Sequence, residues 1–218
     1  MTELIKILIV DDHVVVREGL SALLIPRNGM EVVGEAVNGA EAVEKARSLQ
    51  PDVILMDLNL PVIGGLEAIT EILRENPDAN ILVLTSFDVE SKISAAIEAG
   101  ALGYLSKNSS TQELFHAVRG VAMGSLSVSP GVSRTLLQKL RQPNLPQKNH
   151  VPDLTKREFD VLRSLGQGHT NQEIAEELNI EVTTVRSHFS RVLKKLGLKN
   201  RTQVALYAVE IGLVQPEE

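Results

Sequence analysis

Four short apolar runs in the first half of the chain each end on a polar group, and this recurrence limits the possible folds more than any other feature. The runs are Ile5–Val10 before Asp11 and Asp12, Val53–Met56 before Asp57, residues 81–84 before Thr85, and Gly103–Ser106 before Lys107. Strands buried on both faces of a parallel sheet read as continuous apolar runs. Because the carboxyl ends of parallel strands share one edge, we expect three carboxylates, a hydroxyl and an ammonium to meet there.

Helical patterns alternate with these runs. They cover residues 14–24, 39–49, 65–76, 89–99 and 111–123, and another strand candidate lies at residues 31–35. This alternation predicts an α/β domain over residues 1–124, with a doubly wound five-stranded parallel sheet. In the flavodoxin-like strand order 2-1-3-4-5, the first and third strands are neighbours, which brings Asp11, Asp12 and Asp57 together.

Three carboxylates so close together require a cation. Mg²⁺ is the natural choice because it prefers oxygen ligands and is usually bound by one or two carboxylates with a phosphate. Asp57 is then the candidate nucleophile for an acyl phosphate, while Lys107 and Thr85 are placed to contact phosphoryl oxygens. Taken singly, a strand-end aspartate is usually a turn former and a strand-end lysine is usually solvated. Their occurrence at successive strand ends favours a site.

The pattern changes after residue 124. Residues 125–152 contain Pro130, Pro143, Pro146 and Pro152 and predict a linker, with room for a short amphipathic helix at residues 131–141. Residues 153–218 predict a small all-α domain. Two capping boxes begin at Thr155 and Thr170, and a helical stripe of apolar residues from Val182 to Leu196 predicts a helix whose opposite face is polar and basic.

Charge is distributed unevenly along the chain, whose net charge is −6. Residues 1–125 carry a net charge of −9, whereas residues 182–203 contain six basic residues and no acid. A confined basic face on an acidic protein indicates contact with a polyanion, although such a face is often only solvated. The chain has no cysteine and no apolar run long enough to span a bilayer. We therefore expect a cytoplasmic protein without a membrane partner.

The first 124 residues resemble the receiver domain of bacterial two-component response regulators. The resemblance rests on Asp11 and Asp12, on Asp57, and on Thr85 and Lys107. It implies that Asp57 is the phosphoacceptor, and that Asp12 binds the metal directly and Asp11 mainly through water. It also implies that the backbone carbonyl of Asn59 is a metal ligand. Tyr104 matches an aromatic residue that turns inward with Thr85 on phosphorylation, but a half-buried strand tyrosine is an equally good interpretation.

The last 66 residues are similar to the LuxR-type helix-turn-helix, and the whole chain resembles the NarL/FixJ class of response regulators. The matching segments are residues 154–158, 168–175, 184–188 and 195–203. By physical argument, the exposed face of a recognition helix reads base edges while flanking cations hold phosphates. The resemblance implies that base reading falls mainly to Arg186, Ser187 and Ser190. It places Thr183, Thr184, Arg191, Lys194 and Lys195 nearer the DNA backbone.

Together these features predict a transcription factor controlled by phosphorylation. The expected partners are a sensor histidine kinase, double-stranded promoter DNA and a second copy of the chain when phosphorylated or bound to DNA. The resemblance implies no enzyme beyond transfer to Asp57 and hydrolysis of the resulting phosphate. Two alternatives remain open at this stage. One is a magnesium-dependent phosphatase or phosphotransferase, and the other is a constitutive DNA binder that uses the receiver as a dimerisation scaffold.

Overall fold

Five parallel strands form one sheet in the order β2-β1-β3-β4-β5, as predicted. The computed structural model describes residues 4–86, 90–125, 154–198 and 200–214. The strands are β1 (Ile5–Val10), β2 (Met30–Ala36), β3 (Val53–Met56), β4 (Ile81–Thr85) and β5 (Gly103–Ser106). Val10 pairs with Met56, and Thr85 pairs with Ser106. The carboxyl ends of β1, β3, β4 and β5 therefore lie along one edge of the sheet.

Helices cover both faces of this sheet. They are α1 (Val14–Leu23), α2 (Gly39–Leu49), α3 (Gly65–Glu75), α4 (Glu90–Ala99) and α5 (Thr111–Ala122). Leu8 and Ile54 pack with α2, α3 and α4 on one face, whereas Ile9 and Leu55 pack with α1 and α5 on the other. Successive strand residues point to opposite faces, so each continuous apolar run fills both cores. The predicted doubly wound α/β domain is confirmed.

Four further helices form a small all-α domain. They are α6 (Lys156–Gly166), α7 (Asn171–Leu178), α8 (Val182–Leu196) and α9 (Arg201–Glu210). The apolar stripe of α8 packs inward around Phe189, which is buried together with Val185 and Val192. Within the described residues, no helix combines the length and the apolar character needed to cross a membrane.

The helix starts in this domain follow the predicted capping boxes. The hydroxyls of Thr155 and Thr170 accept hydrogen bonds from the backbone N–H groups of Glu158 and Glu173, whose carboxylates accept from the threonine N–H groups in return. Asn179 then adopts a left-handed conformation that ends α7 and turns the chain towards α8. The short helix predicted at residues 131–141 lies outside the described residues, and the linker bounds remain a prediction.

An ion pair holds α8 against α6. The Lys195 ammonium donates to a carboxylate oxygen of Glu158 at 2.7 Å, and the Thr155 N–H donates to the same oxygen at 2.7 Å. The Glu158 side chain is only 3 % exposed. These bonds, with the one from Lys195 first, lower the pKa of Glu158 to about 2. The carboxylate therefore stays ionised in the folded domain at pH values where the unfolded chain would be protonated.

Glu158→Gln removes this charge while keeping the size of the side chain. We expect it to lower the free energy of opening of α6 and α8 by about 2 kcal/mol, because the bonds to Lys195 and Thr155 become weaker. The Glu158 contribution is fully present above the ordinary pKa of a glutamate and is lost as pH falls towards 2. Hydrogen exchange with mass spectrometry measures opening of these helices separately from the receiver. Glu181→Gln is the matched control, because the Glu181 side chain makes no capping hydrogen bond. Equal protection in both variants would contradict the stabilising role of the pair.

Candidate phosphorylation site and nucleic-acid interface

The sheet places the predicted acidic residues at its carboxyl edge. The backbone N–H of Asp57 donates to the carbonyl of Val10 at 2.9 Å, which continues the β1–β3 ladder by one residue and sets Asp57 beside Asp11. Both carboxylates are almost completely buried, whereas the Asp12 side chain is 35 % exposed. Gly65, the first residue of α3, lies so close that a Cβ atom there would collide with the backbone of Asp57 and Leu58. The loop after Asp57 therefore requires a residue without a side chain at this position.

The acidic side chains converge as the sequence predicts. One ligand atom each from Asp11, Asp12, His13 and Asp57 can be chosen so that all four lie within 4.8 Å of one another. His13 was not among the predicted site residues. Its Nδ1 lies 2.7 Å from a carboxylate oxygen of Asp12 and 3.2 Å from one of Asp11. Its position directly after the acidic pair was the available signal.

Lys107 bridges two of these acids. Its ammonium lies 2.5 Å from an oxygen of Asp11 and 2.7 Å from an oxygen of Asp57. Burial alone lowers the pKa of Lys107, but the hydrogen bonds to Asp11 and Asp57 outweigh burial and raise it. Lys107 therefore remains charged and neutralises part of the buried acidic cluster.

Thr85 and Tyr104 lie on the two neighbouring strands next to the cluster. Thr85 is buried at the end of β4, and its carbonyl accepts a hydrogen bond of 2.9 Å from the Lys107 N–H. Tyr104 is half-buried on β5, where it pairs with Val83 and packs against the core on the α4 side. Neither residue is without an interaction partner. The structure thus places the two predicted switch residues on adjacent strands, and their roles remain predictions.

Asn59 links the loop after β3 to α4. Its backbone N–H lies 3.3 Å from a carboxylate oxygen of Asp57, and its side-chain oxygen accepts a hydrogen bond of 3.0 Å from Lys92. Lys92 was not predicted as a site residue. A solvated lysine in the first turn of a helix carries no signal in the sequence, so only the fold reveals this contact.

The second candidate site is the polar face of α8. Arg186 and Ser190 are exposed there, opposite the buried stripe of Val185 and Phe189. Of the remaining predicted DNA contacts, Thr184 is half-buried and the others are exposed: Thr183, Ser187, Arg191, Lys194 and Lys195. Lys195 differs from the rest because its ammonium is bonded to Glu158. Its proposed contact with DNA would have to compete with that ion pair.

The receiver lies against this face of α8. The Arg186 guanidinium is 3.6 Å from a carboxylate oxygen of Asp78, in the turn between α3 and β4. Ser190 and Lys194 line a cavity of about 560 Å³ whose opposite wall includes Leu73 of α3. Nothing in the sequence pattern marks Asp78, because an aspartate after Pro77 is typical of an ordinary turn.

The start of α9 also contacts the receiver. The Thr202 hydroxyl donates to the carbonyl of Ala101 at 3.3 Å, and the Gln203 amide donates to the carbonyl of Glu98 at 3.2 Å. Gly100 lies between these carbonyls, and a Cβ atom there would collide with the side chain of Asn200. The end of α4 thus lies directly against the helical domain. We call this relative placement of the two domains the closed arrangement.

Known proteins match both domains. Residues 7–119 match the family described as response regulator receiver domain, and residues 152–208 match the family described as bacterial regulatory proteins, luxR family. The transcriptional regulatory protein LiaR of Bacillus subtilis is 44 % identical over 213 residues, which cover 97 % of this chain and all of LiaR.

Two solved structures are similar over nearly the full length. The response regulator ChrA of a heme-sensing two-component system is 32 % identical with a TM-score of 0.52, and the match covers 98 % of this chain and all of ChrA. A structure of two RcsB dimers bound to two DNAs is 25 % identical with a TM-score of 0.55, and the match covers 96 % of this chain and all of RcsB. The chain therefore belongs to the two-component response regulators, as a DNA-binding transcriptional regulator with a receiver domain and a LuxR-type helix-turn-helix domain.

Proposed function

We propose that this regulator accepts a phosphoryl group from a sensor histidine kinase on Asp57, and that phosphorylation controls dimerisation, promoter binding and transcription. The observation that carries this proposal is the meeting of Asp11, Asp57 and Lys107 at one edge of the sheet. Two buried carboxylates and a buried ammonium form a site with a nucleophile, acidic metal ligands and a cation for the incoming oxygens. Because the proposed target is bacterial promoter DNA, the proposed location is the cytoplasm.

The donor set fits Mg²⁺. Asp11, Asp12 and Asp57 offer carboxylate oxygens within a sphere small enough for one ion, and Asn59 follows Asp57 closely enough for its backbone carbonyl to join them. Asp12 would bind the ion directly and Asp11 mainly through water. When bound, Mg²⁺ neutralises charge on the phosphoryl oxygens during transfer.

In the proposed transfer, a carboxylate oxygen of Asp57 attacks the phosphorus atom of the phosphohistidine. The P–O bond forms as the P–N bond breaks, and the bonding pair stays with the histidine of the kinase. The Lys107 ammonium releases the Asp57 oxygen that forms the new bond to phosphorus. It then contacts a phosphoryl oxygen. Thr85 then moves towards the phosphoryl group, and Tyr104 turns inward with it. Water later attacks the acyl phosphate and restores the carboxylate, and we propose no other reaction.

The closed arrangement supports the proposed control of DNA binding. A recognition helix enters the major groove with its exposed side chains against the bases. Arg186, Ser190 and Lys194 of α8 face the receiver, so the same residues cannot lie in a groove while the domains are closed. RcsB, which is similar to this chain, has been solved as dimers bound to DNA. Phosphorylation would then act by shifting the population from closed to open.

Asp57→Ala should abolish phosphorylation by acetyl phosphate with Mg²⁺, because it removes the carboxylate that we propose as the nucleophile of the cluster. Intact-protein mass spectrometry should show one added phosphoryl group on the wild type and none on this variant. Asp52→Ala is the matched control, since Asp52 precedes the same strand at the opposite edge of the sheet. Equal labelling of the wild type and Asp57→Ala would remove Asp57 as the acceptor.

Lys107→Met should tighten Mg²⁺ binding by about tenfold or more, because the ammonium occupies carboxylate oxygens and repels a divalent cation. Isothermal titration calorimetry measures this affinity without any phosphoryl donor. Lys92→Met is the control, since Lys92 contacts the Asn59 amide and no carboxylate of the cluster. Unchanged affinity in Lys107→Met would show that the ion binds away from Asp11 and Asp57.

Arg186→Ala should weaken specific promoter binding by about 1 to 3 kcal/mol if Arg186 contacts a guanine in two-point fashion. The measurement uses phosphorylated protein, so that closure contributes little, and DNA selected from a random pool by the wild type. Arg157→Ala removes an exposed arginine from α6, away from the α8 face, and should leave the affinity nearly unchanged. The same midpoint for Arg186→Ala and the wild type would exclude base reading by Arg186.

A further inference from the structure

Asp78 is a carboxylate buried between the two domains. It lies in the turn between α3 and β4, and its side chain is only 18 % exposed. One of its oxygens, Oδ1, is buried and has no hydrogen-bond partner among the described residues. A buried carboxylate without full hydrogen bonding loses hydration and does not recover it. The closed arrangement therefore carries a desolvation cost for the Asp78 carboxylate, and separation of the two domains would remove that cost.

The nearby cations compensate for this cost only in part. Arg186 Nε lies 3.6 Å from Oδ2 of Asp78, longer than the 2.7 to 2.9 Å of a strong charge-assisted bond. The Arg186 side chain is 59 % exposed, so water screens its charge. Arg201 is buried nearby, but its guanidinium donates to Asn171 and to the carbonyl of His169. Neither arginine makes a close, desolvated pair with Asp78.

The pKa of Asp78 shifts in the direction that this geometry predicts. Burial raises the pKa of Asp78, while the charges of Arg186 and Arg201 and the amide of Asn171 lower it less. Burial likewise lowers the pKa of Arg201 to about 10. The other charged groups lining the same cavity of about 730 Å³ are acidic: Asp52 before β3, and Glu173 and Glu176 of α7. They add negative charge around Asp78 and do not favour its ionised form.

We propose that Asp78 makes closure of this regulator sensitive to acid, with the ionised carboxylate opposing the closed arrangement and the protonated form stabilising it. The inference rests on the proposed function, in which the closed arrangement keeps α8 away from DNA. The chemistry is one proton taken up by the Asp78 carboxylate when the domains close. The regulatory consequence of this proton uptake is that acidification favours the closed arrangement of the unphosphorylated regulator.

The direction follows from linkage. A carboxyl whose pKa is higher in the closed than in the open arrangement binds more protons when closed. Lowering the pH therefore shifts the population towards closure, and raising the pH shifts it towards opening. Asn resembles the protonated side chain, so Asp78→Asn should behave at neutral pH as the wild type behaves in acid. An opposite role, with the carboxylate acting as a latch on Arg186, predicts the opposite change.

Closure can be measured directly because the chain contains no cysteine. Ser48→Cys and Gln167→Cys place one label on an exposed position of each domain. Fluorescence energy transfer between the two labels then measures closure of the full-length, unphosphorylated protein. The comparison covers the wild type, Asp78→Asn and the control Asp52→Asn, which changes a more exposed carboxylate of the same cavity. Each is measured from about pH 7.5 down towards the ordinary pKa of a carboxyl, because a group whose pKa is raised by closure takes up its proton above that value.

We expect energy transfer to rise with acid in the wild type and in Asp52→Asn, and to be high and nearly independent of pH in Asp78→Asn. Histidines titrate in the same range, but they are common to all three proteins and cancel in the comparison. Unphosphorylated Asp78→Asn should also bind promoter DNA about three- to tenfold more weakly than the wild type at neutral pH.

Two results would overturn the inference. Lower energy transfer in Asp78→Asn would show that the carboxylate holds the domains together, and an identical pH response in all three proteins would show that it does not control closure. A different result tests the proposed function instead. If Asp78→Asn closes as expected but its DNA affinity equals that of the wild type, then closure does not block α8, and the proposed occlusion fails while the role of Asp78 stands.

Discussion

The receiver depends on one electrostatic arrangement, the Lys107 ammonium held between the buried carboxylates of Asp11 and Asp57. Burying two carboxylates side by side is costly unless a cation compensates for their charge. The parallel sheet makes this possible because it brings the ends of β1, β3 and β5 to the same edge while keeping the backbone groups paired. The charge that stabilises the resting cluster is thus the one that the proposed phosphoryl group would attract.

The acidic cluster and the contact with the helical domain lie at opposite edges of the receiver sheet. Asp57 follows β3 at the carboxyl edge of the sheet, whereas Asp78 precedes β4 at the amino edge, next to the helical domain. Helix α4 contacts both regions. Lys92 near its start bonds to Asn59 beside the acidic cluster, and the carbonyl of Glu98 near its end accepts from Gln203 of α9. Helix α4 therefore contacts both the loop beside the acidic cluster and the helical domain.

The contact between the domains has the character of a reversible one. It is made by single side chains, such as Thr202 and Gln203 on backbone carbonyls, and it encloses cavities of about 730 and 560 Å³ beside those contacts. A well-packed hydrophobic core has few voids of this size. Contacts that are polar and poorly filled can be broken by a ligand or modification that supplies only a few kcal/mol, which is what the proposed switch requires.

Short-range patterns were enough to predict the local elements and the acidic cluster. Apolar runs predicted the strands, and the capping residues Thr155 and Thr170 predicted helix starts. The rule that parallel strands share one carboxyl edge predicted that Asp11, Asp57 and Lys107 meet. The contacts between residues far apart in the chain came only from the tertiary structure. The pairing of Asp78 with Arg186, the Lys92 bond to Asn59 and the Glu158–Lys195 pair each join ordinary polar residues on separate elements, and no periodicity marks them. Their partners are decided by how the helices and the two domains pack, so only the fold showed that the receiver covers the polar face of α8.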